Sequence, residues 1–298
     1  MARLNYNHLR YFWLVARVGR LAGAADRLPL SRSALSTQGE LLEDQLGHAL
    51  FERRGRGLEL TEAGRLALDY ADAIFNAGEE LLGALGASDA SARRVLRVGS
   101  LATLSRNFES AFLSPAIGRP DVALELRSGS MPELMADLEA HRLDIVLANQ
   151  TPLRDGASRW IAHRVAEQPV SLIGAPERLG AERDPARLLA THPLIAPSRR
   201  SGVRTAFDAL AMRLGVTPAI AAEVDDMALM RVLARRDAGL AVLPPIVVRD
   251  ELASGRLVEA ASLPELTETF SAITLQRRLP NPLVAELLAV AADAMAAA

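Results

Sequence analysis

Apolar positions along the first sixty residues recur at helical spacing in three short runs. His8-Leu9-Arg10-Tyr11-Phe12-Trp13-Leu14-Val15-Ala16-Arg17 reads as a first helix, and Leu21-Ala22-Gly23-Ala24-Ala25-Asp26-Arg27-Leu28 as a second. Pro29-Leu30 makes a turn, and a third helix runs from Ser31 to Leu46. In it Leu35, Gly39, Leu42 and Leu46 share one face at spacings of four, three and four. Ser31 is a suitable N-cap, because its hydroxyl can accept from the free N–H groups of the first turn. Gly47 follows where a left-handed residue is wanted. Helices joined by so tight a turn form a helix-turn-helix, which lays its last helix in the DNA major groove. The face opposite the apolar one shows Arg32, Ser33, Ser36 and Thr37, with Gln38 beside them. Such side chains suit phosphates and base edges. Gly39 inside the helix costs about 1 kcal/mol relative to Ala, which close packing on the second helix would explain.

From Phe51 to Leu60 the pattern becomes a hairpin, with Arg53, Arg54 and Arg56 around Gly55 and Gly57. Phe51, Leu58 and Leu60 can anchor it while the arginines face outward. Directly after a helix-turn-helix, this reads as a wing that tracks the DNA backbone or enters the minor groove. Taken alone, it would read equally as a solvated charged loop.

Thr61 can cap a long helix from Glu62 to Leu85. Leu66, Tyr70, Ala73, Ala77, Leu81 and Leu85 repeat near heptad spacing, widened by Ile74 and Leu82. Such a helix is roughly 35 Å long at about 1.5 Å per residue. That is too long to bury its stripe on a small DNA-binding domain. Pairing with the same helix of a second copy buries it and supplies two recognition helices for two half-sites. Packing on its own chain is the alternative. Gly86 to Arg94 is a polar linker.

Beyond Val95 strands alternate with helices. Leu96-Arg97-Val98, Val122 to Leu126, Leu143 to Leu147, Val170 to Ile173, Leu194-Ile195 and Leu240 to Leu243 read as strands. Helices are expected from Leu101 onward, over Pro132 to His141, Arg204 to Leu214 and Met227 to Arg236. This alternation predicts a parallel α/β sheet with ligands outside the carboxyl ends of its strands.

Composition narrows the function classes. The 298 residues carry a net charge of −2, yet residues 1–66 hold ten arginines against seven acids. That local balance favours a polyanion only weakly, and binding would be salt-sensitive. The chain has no lysine and no cysteine, which excludes disulfides and thiolate metal sites. His8, His48, His141, His163 and His192 lack metal-ligand spacing. No nucleophile-base pair, P-loop or metal motif points to an enzyme, and no cofactor or metal is expected. No apolar run reaches membrane-spanning length. Trp13-Leu14-Val15-Ala16 is too short, and too broken by arginines, for a signal peptide. A cytoplasmic protein is expected.

Several short runs resemble the LysR-type transcriptional regulators. They are Asn7-His8-Leu9-Arg10-Tyr11-Phe12, Ala24-Ala25-Asp26-Arg27-Leu28, Leu35-Ser36, Leu42-Glu43 with Leu46-Gly47, Leu50-Phe51-Glu52-Arg53, and Leu60-Thr61-Glu62-Ala63-Gly64. The chain departs from the family pattern at Ser33, where a proline is usual, at Thr37, usually basic, and at Gly39, usually apolar. Basic residues often found at Glu40 and Leu41 are also missing, which shifts phosphate contact toward the wing. The resemblance covers the whole chain. It implies an α plus α/β architecture: an N-terminal winged helix-turn-helix (1–64), a linker and dimerisation helix (65–94), and a two-lobed, periplasmic-binding-protein-like α/β effector domain (95–298). Lobe I is expected at 95–162 and 267–298, lobe II at 163–266, with crossovers near Gln150 and Thr267. It also implies double-stranded promoter DNA as partner, dimers that pair into tetramers, and leaves RNA polymerase open as a further partner.

An effector cleft is expected at the strand ends. Ser100, Leu101 and Thr103 follow the first strand, Ser128, Gly129 and Ser130 the second, Asn149 and Gln150 the third, and Ser198 and Arg199 a strand of lobe II. Small hydroxyl residues and free N–H groups at helix starts would suit a small organic anion. Each serine could instead simply cap a helix. Asn5-Tyr6-Asn7-His8-Leu9-Arg10-Tyr11-Phe12-Trp13, Gly55-Arg56-Gly57-Leu58-Glu59 and Glu223-Val224-Asp225-Asp226-Met227-Ala228-Leu229-Met230 resemble the NhaR branch, activators of a sodium/proton antiporter gene. That likeness implies an activator responding to sodium or pH, with Asp225 and Asp226, alongside Glu223 and Glu133, as the oxygen ligands a hard cation wants. Capping of a helix by these aspartates is the other reading. Outside the regulator class stands a solute-binding protein that acquired a helical N-terminus.

Overall fold

The computed structural model describes residues 4–18, 31–54, 57–84, 93–152, 159–180, 182–277 and 280–296. The expected second helix at 21–28, the turn at Pro29-Leu30 and Arg56 lie outside these residues, so the packing expected of Gly39 on that helix does too. The chain divides into two compact units, Met1–Ala90 with Glu139–Arg142, and Ser91–Leu138 with Leu143–Ala298.

In the first unit, helix α1 (Tyr6–Val18) buries Leu9, Phe12 and Val15, one face at helical spacing. Helix α2 (Arg32–Leu46) is capped by Ser31, whose hydroxyl accepts from Ala34 N at 3.2 Å. It ends at Gly47, held at φ 74°, where a side chain would be strained. Leu35 and Leu42 are buried, but Leu46, expected on the same face, is exposed. Strands β1 (Phe51–Arg54) and β2 (Gly57–Leu60) pair antiparallel as the expected hairpin, Phe51 opposite Leu60. Helix α3 (Glu62–Ala84) follows. It packs Ala71, Ala67, Leu68, Ile74 and Phe75 on the small core. Leu66, Tyr70, Leu81 and Leu82 stay exposed. Ile74, expected to widen the heptad-like stripe, thus packs inward, while Leu66, Tyr70, Leu81 and Leu82 are not covered by this unit's own core.

The second unit is built on a single sheet. Its strands are β3 (Arg94–Leu101), β4 (Val122–Gly129), β5 (Ile145–Ala148), β6 (Trp160–Gly174), β7 (Leu194–Pro197), β8 (Ile220–Val224), β9 (Leu240–Leu243) and β10 (Val258–Leu275). Among the described residues their order is β4-β3-β5-β10-β6-β9-β7-β8. The sheet is mixed rather than parallel. Parallel pairs occur within each half, while β10 runs antiparallel to both β5 and β6. The two long strands carry the chain from one half to the other and back, so they cannot share the direction of their neighbours. Helices α4 (Arg106–Leu113), α5 (Met131–Glu139) and α11 (Pro282–Ala296) serve the first half. Helices α6 (Pro176–Leu179), α7 (Pro185–Thr191), α8 (Gly202–Arg213), α9 (Met227–Arg235) and α10 (Arg249–Ala253) serve the second.

The helix expected from Leu101 begins at Arg106 instead. Leu101 ends a buried strand, and Ser105 caps α4 by accepting from Phe108 N at 3.3 Å. One core holds Val165 and Phe270, the other Val170 and Leu266. The chain thus changes core inside β6 and inside β10. The first change falls well past Gln150, where a crossover was expected, because no chain break marks a strand that spans both cores. Phe270 is fully buried and stacks on Phe108 with centroids 4.2 Å apart, at the foot of the second change. Phe270→Ala is expected to destabilise the second unit by about 3–5 kcal/mol, the usual cost of truncating a buried aromatic. Denaturant unfolding of the full chain checks this, and a loss under about 1 kcal/mol would mean that this core collapses around the gap.

Candidate functional site

The candidate DNA-contacting face is positioned by part-buried polar bonds at the start of the hairpin. Glu43, near the end of α2, accepts from Leu50 N at 2.6 Å and Phe51 N at 3.1 Å through one oxygen. That ties the start of the hairpin to α2. Phe51 packs on Phe12, 5.3 Å between centroids, which ties it to α1. Thr61 donates to Ala49 O at 2.6 Å and accepts from Gly64 N at 2.9 Å. A Cβ at Gly64 would stand 2.0 Å from Leu50 O, so only glycine lets α3 start this close to the hairpin.

Ser33 and Thr37 are exposed on α2, while Ser36 and Gln38 are half-buried. Ser33 shares a hydroxyl contact with Ser31 at 2.9 Å, and Thr37 donates to Ser33 O at 3.1 Å. Ser36 donates to Glu40 at 3.3 Å. These local bonds are ones that phosphates or base edges can replace. Arg32 opens α2, and Arg53 and Arg54 close β1.

In the second unit a cavity opens beside Glu268, on the stretch of β10 between Leu266 and Phe270 where the chain changes core. It has about 40 Å³ of free room, enough for roughly three water-sized groups. Asn149, Pro197, Ser198, Ser201, Val203, Val224, Asp225, Met227, Met230, Val242, Leu243, Pro244 and Glu268 line it. Of the cleft residues expected from the sequence, Asn149, Ser198 and Asp225 are therefore brought together. Two hydrogen bonds bridge the halves: Met227 N donates to Thr103 O at 3.4 Å, and the Asn107 side-chain amide to Val247 O at 3.3 Å.

The other expected cleft residues serve elsewhere. Ser130 donates to Glu133 through both hydroxyl and N–H, at 2.7 and 2.9 Å, a cap for α5 that holds the Glu133 carboxyl below its usual range. Ser128 is exposed and accepts from Arg106 at 3.3 Å. Gly129 lies against Glu133 and Leu134, Leu101 is buried in the core, and Gln150 is exposed. Ser100 is buried with an unpartnered hydroxyl but does not line the cavity. Arg199 is exposed and donates through its N–H to Glu223. Glu223 also takes Arg204 Nη1 at 3.0 Å, and that guanidinium, followed by the Arg199 N–H, holds its carboxyl low. Asp226 caps α9, accepting from Ala228 N at 2.8 Å, which leaves Asp225 alone to face the cavity. Among the described residues no three His, Asp or Glu side chains stand together as a metal site.

Sequence reasoning missed Glu268. It lies on β10 between Leu266 and Phe270, and all three are buried. An acid on the buried face of a strand with period two is the signal that could have found it. Its Oε1 accepts from the Asn149 amide at 2.7 Å. β5 ends opposite Ser271, which brings the next residues, from Asn149, alongside this stretch of β10. Burial pushes the Glu268 carboxyl up to about 7, against the smaller opposing effect of the Asn149 bond.

The model of the bacterial regulatory helix-turn-helix protein, lysR family, matches residues 6–65, and that of the LysR substrate binding domain matches residues 89–296. The chain is 30% identical to the transcriptional activator protein NhaR of Escherichia coli, over 95% of this chain and 94% of that one. It is 28% identical to the RuBisCO operon transcriptional regulator of Allochromatium vinosum, over 86% and 84% of the two chains. A full-length OxyR variant from Pseudomonas aeruginosa shares the fold, with TM-score 0.65, 21% identity, and coverage of 97% and 94%.

Glu268 gives the stability of the second unit a defined pH dependence. Its folded value, about 7, exceeds the ordinary 4.5. The stabilisation is therefore fully present below pH 4.5 and is lost as pH rises through 7. The loss amounts to up to about 3 kcal/mol. Glu268→Gln should flatten this dependence and make the unit more stable than wild type at pH 8. Denaturation midpoints at pH 5 and pH 8 decide it; equal wild-type and variant slopes would refute it.

Proposed function

The chain belongs to the LysR family of bacterial transcriptional regulators, and on that premise we propose that it activates transcription at specific promoter sites in response to a small ligand held between the lobes of its second unit. The observation that carries the reading is the joining of three parts in one chain. A capped helix is locked by Glu43 to an arginine-bearing hairpin, an apolar helix stripe is left uncovered, and a cavity opens beside Glu268 where β10 changes core. The activator role rests on the similarity to NhaR, whose name gives it that role.

We place the DNA-binding part at 1–64, the linker helix at 65–94 and the effector domain at 95–298. Arg32, Arg53, Arg54 and Arg56 take phosphates in this reading, and Ser33, Ser36, Thr37 and Gln38 take base edges and neighbouring backbone. The stripe Leu66, Tyr70, Leu81 pairs with its copy in a second chain, which also brings two recognition helices to two half-sites. A ligand seated between the lobes favours the lobe arrangement to which it binds better, and only that difference can drive a response. Residence in the cytoplasm, where promoter DNA lies, follows from this role. Among the described residues no helix is long and apolar enough to cross a membrane.

A footprint on the DNA upstream of the chain's own gene tests the reading. A bounded protected region supports it, and equal binding to random DNA overturns it. Arg53→Ala and Arg54→Ala should weaken binding to specific and random DNA alike, each lowering the salt slope of log affinity by about 1. Ser36→Ala with Thr37→Ala should instead narrow the gap between the two DNAs by about 1–3 kcal/mol. Tyr70→Glu with Leu81→Glu should shift the chain toward monomers in sedimentation, leaving the fold of each unit intact by circular dichroism.

A further inference from the structure

The cavity's wall has an unusual chemistry for a site expected to take an organic anion. Its charged residues are two acids, Asp225 and Glu268, and among the described residues no basic side chain lines it. The nearby arginines are turned to other partners. Arg204 is buried against Asp208, Glu223 and Pro197 O, and Arg199 is exposed beside Glu223. Glu268 is 4% exposed, and the Asn149 amide is its one hydrogen-bond partner among the described residues. Its second oxygen, Oε2, is thus unpartnered in a residue that lines the cavity. A buried carboxyl with an open acceptor is costly unless something donates to it.

We infer that this cavity holds the protonated amino group of a small organic ammonium ligand, with Glu268, Asn149 Oδ1, Asp225 and the Ser198 hydroxyl as its acceptors. This rests on the reading of the cavity as the ligand site and names its ligand class. Three N–H donors on one nitrogen need several acceptors from different directions, and the wall offers them from β5, β10 and the turns after β7 and β8. The room available fits such a head group. Met227, Met230, Val242 and Leu243 supply apolar wall for a short alkyl tail. A bare metal cation would need a closer set of oxygens, and no three acids or histidines gather among the described residues.

Binding of a cation requires Glu268 to ionise, whereas burial keeps it protonated up to about pH 7. The ligand therefore displaces a proton. The other charged or titratable groups on the surrounding elements are paired with one another: the capping Asp226 with Ala228 N, Arg204 with Glu223 and Asp208, Arg213 with Glu265, Arg231 and Arg235 with Glu251, Glu259 with Ser171, and on β6 Arg164 with Glu167 and His163 with Thr274, which leaves Asp225 beside Glu268. β5, β7 and β9 and the turn Pro245–Val248 contribute none. Burial moves Glu268 and His163 in opposite directions, the carboxyl up to about 7 and the imidazole below its usual range, and of the two it is Glu268 that lines the cavity.

The test is calorimetric titration of the full chain with ethylammonium chloride at pH 6, 7 and 8, ionic strength held constant with tetramethylammonium chloride, which has no N–H donor. Sodium chloride and sodium acetate are the comparison probes. The expected result is saturable ethylammonium binding that tightens roughly fivefold from pH 6 to 7 and by only about twofold more from pH 7 to 8, with release of a proton. Glu268→Gln should weaken it at least tenfold and remove the pH dependence. Saturable binding of acetate or sodium in place of ethylammonium, pH-independent binding, or no binding of any probe each overturns the inference. A footprint run on the same samples separates the outcomes: retained specific protection leaves the regulator reading standing whatever the cavity binds.

Discussion

The pairing of β6 with β10 is the constraint on which the second unit depends. The two strands run antiparallel from Trp160 opposite Leu275 to Gly174 opposite Val258, with register shifts on the way. Each contributes side chains to both cores. The lobes are thus joined by continuous hydrogen-bonded strand rather than by a loose tether. Relative motion must be absorbed by bending or twisting of this ladder, and the shift between Leu263 and Thr267 lies where the cores change over. The cavity lies at the same stretch of β10, lined by Glu268 together with apolar residues of the second half.

That placement explains how an acid comes to be buried. β10 must present alternate residues inward to hold both cores, and Glu268 falls on the inward side between Leu266 and Phe270. At an ordinary core position such a residue would be selected against on energetic grounds, since a desolvated carboxyl raises its own pKa and destabilises the fold as it ionises. At the seam between lobes it meets the Asn149 amide and an open space. The local penalty becomes a preference for whatever donates hydrogen bonds there.

The first unit follows a related logic with opposite emphasis. Its core is small, and its parts are fixed to one another by a few polar bonds: Glu43 to the hairpin, Thr61 to Ala49, and Asp72 on α3 to Trp13 at 2.6 Å and Arg17 at 2.8 Å on α1. Recognition helix and wing are thereby held in one arrangement, so DNA binding need not order the hairpin afresh. The apolar stripe on α3 is left without a partner inside the unit.

The sequence by itself determined what depends on near neighbours. Caps at Ser31 and Thr61, the left-handed stop at Gly47, the hairpin, the long helix and most strands of the α/β region follow from spacing and local hydrogen bonding, and so did the family, through runs in the first sixty-four residues. Strand direction was not legible, because β6 and β10 pair residues as far apart as Trp160 and Leu275, across about half of the effector region. The site was legible only in part. Asn149 and Ser198 could be read from strand ends and Asp225 from the likeness to the NhaR branch, and several serines at strand ends were caps, as their residue type alone allows. Glu268 waited for the tertiary structure. Its burial and its neighbour Asn149, 119 positions away in the chain, are fixed by how β5 meets β10. Desolvation, which sets that carboxyl's charge, is a property of everything packed around a residue and of nothing in its local sequence.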